Sequence, residues 1–367
     1  MDSQDKPIIA FSRRLGSGSR LSLASYDEVW QFIELDVDYD VGWVGVTKKK
    51  PDDESSSSSS EGTGYDEKYY VVAYDSTNSE FKAYLVASSW ALVGSISGVT
   101  TSYLTTKIAM CDNKIAIAFI EDGESISYNF FDVVTGAWSF VGFNTLTPSA
   151  LYGDIIDMDL EGYDTSGTER FCIGWLSGTP YWSYVNSAIC LSNDTIAPTG
   201  GGNYNVEVSG VDVIASSTDY LVNGYKKIGV TLDDSGLAQL VCLGVSSKLF
   251  SLNGSWSEDV LDIEAVGNGN VFTYLDVNYF TDDDNVKMVF GCDSGDIYYL
   301  QPSTDETFPV ANPEIILLNS GDYAYRVTSF SPQAGEDILG AYDNYYGRVL
   351  RDARIPLLIT SNRTTSP

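Results

Sequence analysis

The sequence predicts an all-β protein, a single β-propeller, on three observations. In the segment VKMVFGCDSGDIYYLQ (286–301), two runs rich in β-branched and aromatic residues flank a turn of Asp, Ser and Gly, which is typical of a β-hairpin. This outline occurs seven times along the chain, at a spacing of roughly fifty residues, the length of a propeller blade of about four strands. The two chain ends together supply one further period, as a closed ring requires.

The predicted turns mark the repeats. Their first residues are Asp27, Asp75, Asp122, Ser177, Asp234, Asp293 and Asp343. The last repeat shows four strands, YRVTSF, DILGAY, YGRVLRD and IPLLIT, and the N-terminal stretch IIAFSRRLG matches its beginning. We therefore expect seven blades of about fifty residues, in a ring closed by the N- and C-terminal segments. Because no clear fourth strand is evident between Trp30 and Trp43, a ring of six blades is the alternative.

Composition supports one propeller domain over residues 1–367. Aromatic residues make up 13% of the chain and glycines number 33, which suits many short strands and turns, and no convincing amphipathic helix is evident. The segment KKKPDDESSSSSSEGTG (48–64) is too polar to bury apolar area, so we expect a mobile loop between two strands. The N-terminus lacks the apolar run of a signal peptide or membrane span, and a cytoplasmic location is expected.

The charge and the cysteines exclude several partners. A formal net charge of −30 repels phosphate backbones and anionic lipids, so neither nucleic acid nor a membrane is an expected partner. The acidity serves solubility or adaptation to salt, or alternatively attracts a basic protein partner. The cysteines have no CxxC spacing and mostly fall on or beside predicted strands, so buried thiols are expected rather than disulfides or metal ligands. They are Cys111, Cys172, Cys190, Cys242 and Cys292.

The complete lack of histidine restricts the chemistry. It excludes Ser-His-Asp and Cys-His catalysis and removes the usual ligands of zinc and copper. Neither GxGxxG after a strand nor GxxxxGK[ST] is present, so no nucleotide cofactor is indicated. The sequence therefore predicts no cofactor, with calcium as the one alternative.

The calcium alternative arises from IDMDLEGYD (156–164), where carboxylates alternate before a glycine. The stretch resembles the DxDxDG calcium loops of integrin-type FG-GAP propeller repeats. The resemblance implies that Asp157, Asp159 and Glu161 hold the ion. Two further acidic stretches, LDVDYDVG and LDVNYFTDDD, have a displaced glycine or none. Solvated acids at strand ends are the other interpretation of all three.

A second resemblance covers most of the chain. In KIAIAFIEDGESISYNFFDVVTGAWSFVG and YVVAYDSTNSEFKAYLVASSWALVG, Trp138 and Trp90 stand a few residues before a short outer strand. This order resembles the blades of fungal fucose-specific lectins. The pockets of those lectins use an Arg and a Glu from the hairpin strands, and here most blades carry aliphatic or aromatic residues at the Arg position. The resemblance therefore implies the fold and not fucose recognition.

Because the repeats share only their strand and turn pattern, one specialised pocket is expected, at the mouth of the central channel or on the top-face loops. Its polar lining is predicted on the inner strands and comprises Asp157, Asp159, Asp212, Thr273, Asp276, Arg326 and Thr328. Its aromatic cover is predicted on the hairpin GWLSGTPYWSYV and comprises Trp175, Tyr181, Trp182 and Tyr184. Packing between blades is the alternative role for these aromatic residues.

Two functions follow from this pocket. The first is binding of a glycan or small hydrophobic molecule without metal or nucleotide chemistry. The second is a cofactor-independent cyclase of fungal natural-product biosynthesis, of the hetero-Diels–Alderase type, which would hold its substrate in a reactive conformer and polarise a carbonyl. Binding is favoured because no feature of the sequence requires chemistry. If the protein is an enzyme, a cyclase or isomerase is expected rather than a histidine-dependent hydrolase.

Overall fold

The computed structural model is all-β: its described residues form 27 strands in seven antiparallel sheets, each built from strands consecutive in the chain. No helix able to cross a membrane occurs among the described residues. The described ranges are 8–27, 29–48, 69–99, 105–111, 113–121, 123, 125–146, 154–165, 168–179, 182–192, 212–217, 227–232, 238–244, 247–253, 255–260, 272–280, 285–292, 297–300, 314–317, 324–330, 338–344 and 351–355.

The first three sheets occupy the N-terminal part of the chain. Sheet 1 contains β1 (Ile8–Leu15), β2 (Gly18–Asp27) and β3 (Val29–Val37). Sheet 2 contains β4 (Val41–Lys48), β5 (Tyr69–Asp75), β6 (Glu80–Val86) and β7 (Trp90–Ser97). Sheet 3 contains β8 (Thr106–Cys111), β9 (Lys114–Glu121), β10 (Ser125–Asp132), β11 (Ala137–Trp138) and β12 (Asn144–Leu146), the last two both pairing with β10.

The remaining four sheets follow in chain order. Sheet 4 contains β13 (Asp154–Thr165), β14 (Thr168–Thr179), β15 (Trp182–Ser192) and β16 (Asp212–Ser217). Sheet 5 contains β17 (Lys227–Leu232), β18 (Ala238–Leu243), β19 (Lys248–Asn253) and β20 (Ser255–Val260). Sheet 6 contains β21 (Phe272–Phe280), β22 (Asn285–Cys292), β23 (Ile297–Leu300) and β24 (Glu314–Leu317). Sheet 7 contains β25 (Ala324–Phe330), β26 (Ile338–Asn344) and β27 (Arg351–Ile355).

Neighbouring sheets contact each other through their first strands. Within its sheet each first strand pairs only with the second strand, and it packs against the first strand of the next sheet, from β1 through β4, β8, β13, β17 and β21 to β25. This series of sheets matches the blade order of a propeller and confirms the all-β prediction. Ring closure stays a prediction, because the predicted last strand IPLLIT continues beyond Ile355, outside the described residues.

The structure also refines the predicted repeats. Ser177, a predicted turn residue, lies inside β14 opposite Tyr184, because the ladder between β14 and β15 continues to Thr179 and Trp182. In sheet 5 the predicted hairpin is formed by the first and second strands rather than the second and third. β4 follows closely after β3, which is why no fourth strand could be recognised between Trp30 and Trp43. Of the predicted loop 48–64, Lys48 ends β4 and the rest lies outside the described residues.

The core lies between the sheets, since strands in the middle of a sheet are covered on both faces. Every residue of β5 is buried, as is nearly every residue of β9, which explains their almost continuous apolar sequences YYVVAYD and KIAIAFIE. Three apolar clusters join sheets 1 and 2, sheets 2 and 3, and sheets 3 and 4. Cys111, Cys172 and Cys242 are buried free thiols, as predicted for these three.

Gly229 tests the packing of sheet 5 against sheet 6. It lies on β17, and a Cβ atom added there would overlap Val277 on β21. We predict that Gly229→Ala lowers the free energy of unfolding by about 1–3 kcal/mol, as overpacking does, in urea unfolding. Gly16→Ala is the control, because an added Cβ there meets nothing within 4 Å. Equal stability of the two variants would contradict the packing of these two strands.

Candidate functional site

Two aspartates of sheet 4 are bound to the backbone of sheet 5. On β13, Asp157 Oδ2 accepts the N–H of Ile228 at 3.1 Å and Asp159 Oδ2 accepts the N–H of Val230 at 2.9 Å. Residues two apart on a strand point to the same side. The carboxylates of Asp157 and Asp159 therefore have the same spacing along the strand as the N–H groups of Ile228 and Val230. The first strand β17 has no ladder on this edge, where unpaired N–H groups would be costly. We call these two bonds the aspartate junction.

Two lysines flank the aspartate junction. Lys107 on β8 places Nζ 2.8 Å from Asp159 Oδ1, and Lys227 on β17 places Nζ 3.5 Å from Asp157 Oδ1. The aspartate side chains are 9–10% exposed, whereas the lysine side chains are 22% and 26% exposed. Sheets 3, 4 and 5 thus contribute alternating charges that are partly shielded from water. We call these four residues the first-strand charge cluster.

Burial sets the protonation behaviour here. It raises the pKa of the Asp157 carboxyl, while Lys227, Lys107 and the Ile228 N–H oppose that shift. Burial also raises the pKa of the nearby Cys242 thiol well above its ordinary value, and the Asp157 charge adds to the shift. Because the thiolate is the reactive form of cysteine, Cys242 is an inert core residue and not a nucleophile.

A β-bulge recurs near the start of four first strands and aligns their sequences. The residues after the bulge on β4, β13, β21 and β25 are Trp43, Asp157, Tyr274 and Arg326. Two residues further along each strand stand Gly45, Asp159, Asp276 and Thr328. Two register positions are therefore shared by the predicted lining residues. The first holds Asp157 and Arg326, and the second, two residues further along, holds Asp159, Asp276 and Thr328. Thr273 is the extra residue in the bulge, so Tyr274 is the equivalent of Asp157.

The prediction that Asp212 lies on an inner strand is wrong. Asp212 lies on β16, the fourth strand of sheet 4, opposite Ser187 of β15. Three strand spacings separate it from β13, roughly 14 Å. The physical reason is that β16 completes sheet 4 by pairing with β15, and β17 then begins sheet 5.

The predicted aromatic cover divides into separate locations. Trp175 on β14 is 1% exposed and packs in the apolar cluster between sheets 3 and 4, which is the role given by the packing alternative. Trp182 and Tyr184 lie at the start of β15, at the same end of sheet 4 as the start of β13. Tyr181 lies outside the described residues.

The predicted calcium ligands already have other partners. Asp157 and Asp159 each bind a backbone N–H and face a lysine, and Glu161 Oε1 accepts the N–H of Gly162 at 3.0 Å. Within the described ranges, no group of three or more Asp, Glu or Cys side chains is arranged to hold a metal ion. This geometry does not favour calcium, and calcium binding by these residues stays a prediction.

Three residues in this part of the first strands were not predicted from the sequence: Lys107, Lys227 and Tyr274. Each lysine precedes apolar residues near the start of its strand, in KIAM (107–110) and KIGV (227–230). A lysine beside apolar strand residues is uncommon at a shielded position, and this shared pattern was the available signal. No comparable signal exists for Tyr274, because its position depends on the bulge.

Comparisons with known proteins give structural similarity only. No protein-family model matches the chain, and no curated protein matches it in sequence. A six-bladed β-propeller fungal lectin from Aleuria aurantia, described with a fucose recognition mode, is 10% identical over 85% of this chain and 95% of that one, with a TM-score of 0.46. A triple arginine-to-alanine mutant of AofleA from Arthrobotrys oligospora is 9% identical over 96% and 87%, with a TM-score of 0.40. An endo-arabinanase from Bacillus licheniformis is 12% identical over 68% and 92%, with a TM-score of 0.40.

Fucose-specific lectins, the family that the sequence resembles, are thus among the similar structures. The resemblance to FG-GAP repeats stays a prediction. At these identities and TM-scores the similarities carry no conclusion about function, and the fold is taken from the strand pairing described above.

Asp157→Asn tests the burial of the Asp157 charge. Because burial raises the pKa of the folded carboxyl, ionisation costs stability above that pKa, and the cost disappears as the pH falls through it towards the unfolded value. An asparagine oxygen still accepts the Ile228 N–H but carries no charge. We predict that the stability of the variant relative to the unmodified protein is highest near neutral pH and falls on acidification.

Urea unfolding between about pH 4 and pH 8 measures this difference. Asp154→Asn, at an exposed residue of the same strand, is the control. A difference that stays constant over the whole pH range would contradict the assigned effect of burial.

Proposed function

We propose that the protein is a ligand-binding β-propeller of seven blades, closed by its terminal segments, with one pocket formed by the first strands at the level of the aspartate junction. Its ligand is a glycan or another small molecule rich in hydroxyl or carbonyl oxygens. The first-strand charge cluster supports this proposal most directly, because donors and acceptors from three sheets are held together there.

The cluster suits oxygen-rich ligands for a physical reason. Sugar hydroxyls both donate and accept hydrogen bonds, and a pocket that binds them needs donors close to acceptors. The lysine ammonium groups are restrained by carboxylates yet remain about a quarter exposed, at 22% and 26% for Lys107 and Lys227. Groups that are already positioned lose little conformational entropy when a ligand binds.

Aromatic residues are available at a suitable distance. Trp182 and Tyr184 begin the third strand of sheet 4, two strand spacings from β13, or roughly 10 Å. That distance is comparable to the length of a disaccharide, and aromatic residues are suited to binding the apolar face of a sugar.

Trp182→Ala tests the pocket. In a calorimetric titration with a ligand identified from a glycan and metabolite panel, we predict that it weakens binding by about 1–3 kcal/mol, with little loss of fold stability, as expected for an aromatic anchor. Phe32→Ala on sheet 1, where the side chain is 56% exposed, is the control and should leave binding unchanged.

Unfolding of the Trp182 variant would show that the residue packs between sheets and would remove it from the pocket. Recovery of the bound molecule distinguishes the two functions inferred from the sequence. A binding protein returns its ligand unchanged, whereas a cofactor-free cyclase returns an isomer of the same mass.

A further inference from the structure

Cations recur at one level of the first strands. On sheets 3 and 5 they are Lys107 and Lys227, both in contact with the aspartates of β13. On sheet 7 it is Arg326, at the register position equivalent to Asp157. The same level on sheets 4 and 6 carries Asp157 and Tyr274. Sheets 3, 5 and 7 therefore each carry one cation on the first strand, near the positions equivalent to Asp157 and Asp159.

This placement is unusual for so acidic a chain. Lys and Arg number 21 against 51 Asp and Glu, and the net charge is −30. Lys107 and Lys227 each face one of the two aspartates of β13, so the charges of these four residues balance one another. Because salt screens charges beyond about 8 Å at physiological ionic strength, the local charges decide what binds here more than the distant acidic surface does.

The aspartates and Lys227 differ in the partners that they already have. Asp157 and Asp159 each direct one oxygen to a backbone N–H of β17, so a cationic ligand would compete with the aspartate junction. Lys227 is held less closely: its Nζ is 3.5 Å from Asp157 Oδ1, beyond ordinary hydrogen-bond length, and the side chain is 26% exposed. An incoming carboxylate can form a short charge-assisted hydrogen bond with this ammonium without breaking the junction.

We propose that the ligand carries a carboxylate on a hydroxylated skeleton and that Lys227 binds this carboxylate. This inference rests on the proposed binding function and specifies its ligand class. Acidic saccharides built from uronic acids are the favoured source of this chemistry, and small hydroxy acids are the other source.

Calorimetric titrations with matched probes test the proposal. The probes are a short oligogalacturonate, its methyl ester, and gluconate as a free hydroxy acid. We expect the acid to bind at least about tenfold more tightly than its ester, with an affinity that falls as salt is added. We expect Lys227→Met to lose at least about tenfold in affinity and Lys227→Arg to retain most of it. Lys287→Met, which removes the same charge on β22 opposite Asn278, should bind as the unmodified protein does.

The outcomes separate the carboxylate assignment from the proposed binding function. Tight binding of gluconate without the oligosaccharide supports carboxylate recognition and assigns it to small hydroxy acids. Equal affinity for acid and ester, or unchanged affinity in a folded Lys227→Met variant, overturns the carboxylate assignment and leaves ligand binding intact. Failure of all three probes, with a neutral glycan bound from the wider panel, also overturns it. If nothing binds in either experiment, the proposed function fails as well.

Discussion

The bonds from Asp157 and Asp159 to the free edge of β17 are the constraint on which the candidate site depends. In a series of sheets, each first strand has one edge without a strand partner, and its N–H groups need other acceptors. Here two carboxylates supply them and so fix sheet 5 to sheet 4. Burying two carboxylates is costly, and Lys107 and Lys227 offset part of that cost. The charges that stabilise the junction are therefore the same charges that a ligand would meet.

The β-hairpins were predictable because each depends only on the residues of its own two strands and turn. Dense β-branched and aromatic residues with Asp and Gly at turns marked the hairpins, all of which lie on antiparallel strand pairs. The place of a strand within its sheet is not local, since it depends on which edges pair. The hairpin of β17 and β18 looks like the others, yet it contains the first strand of sheet 5, and Asp212 was misplaced for that reason.

The candidate site was predictable in part, for related reasons. Asp157 and Asp159 were recognisable as alternating carboxylates, but their partners are N–H groups 71 residues further along the chain, which no local pattern reveals. Tyr274 was missed in favour of Thr273 because a bulge shifts the register by one residue. Trp175 was one residue in a dense aromatic run, and the sequence could not show that it faces the core between sheets 3 and 4.

Amide hydrogen exchange at Ile228 and Val230, followed by NMR, tests most directly that carboxylates hold sheets 4 and 5 together. In the Asp157→Ala/Asp159→Ala double variant, we expect these two amides to exchange about 10- to 100-fold faster than in the unmodified protein, because they lose their acceptors. The amide of Ile117, in the buried strand β9 of sheet 3, should keep its rate. Unchanged exchange at Ile228 and Val230 in the folded double variant would show that the two carboxylates do not hold sheets 4 and 5 together.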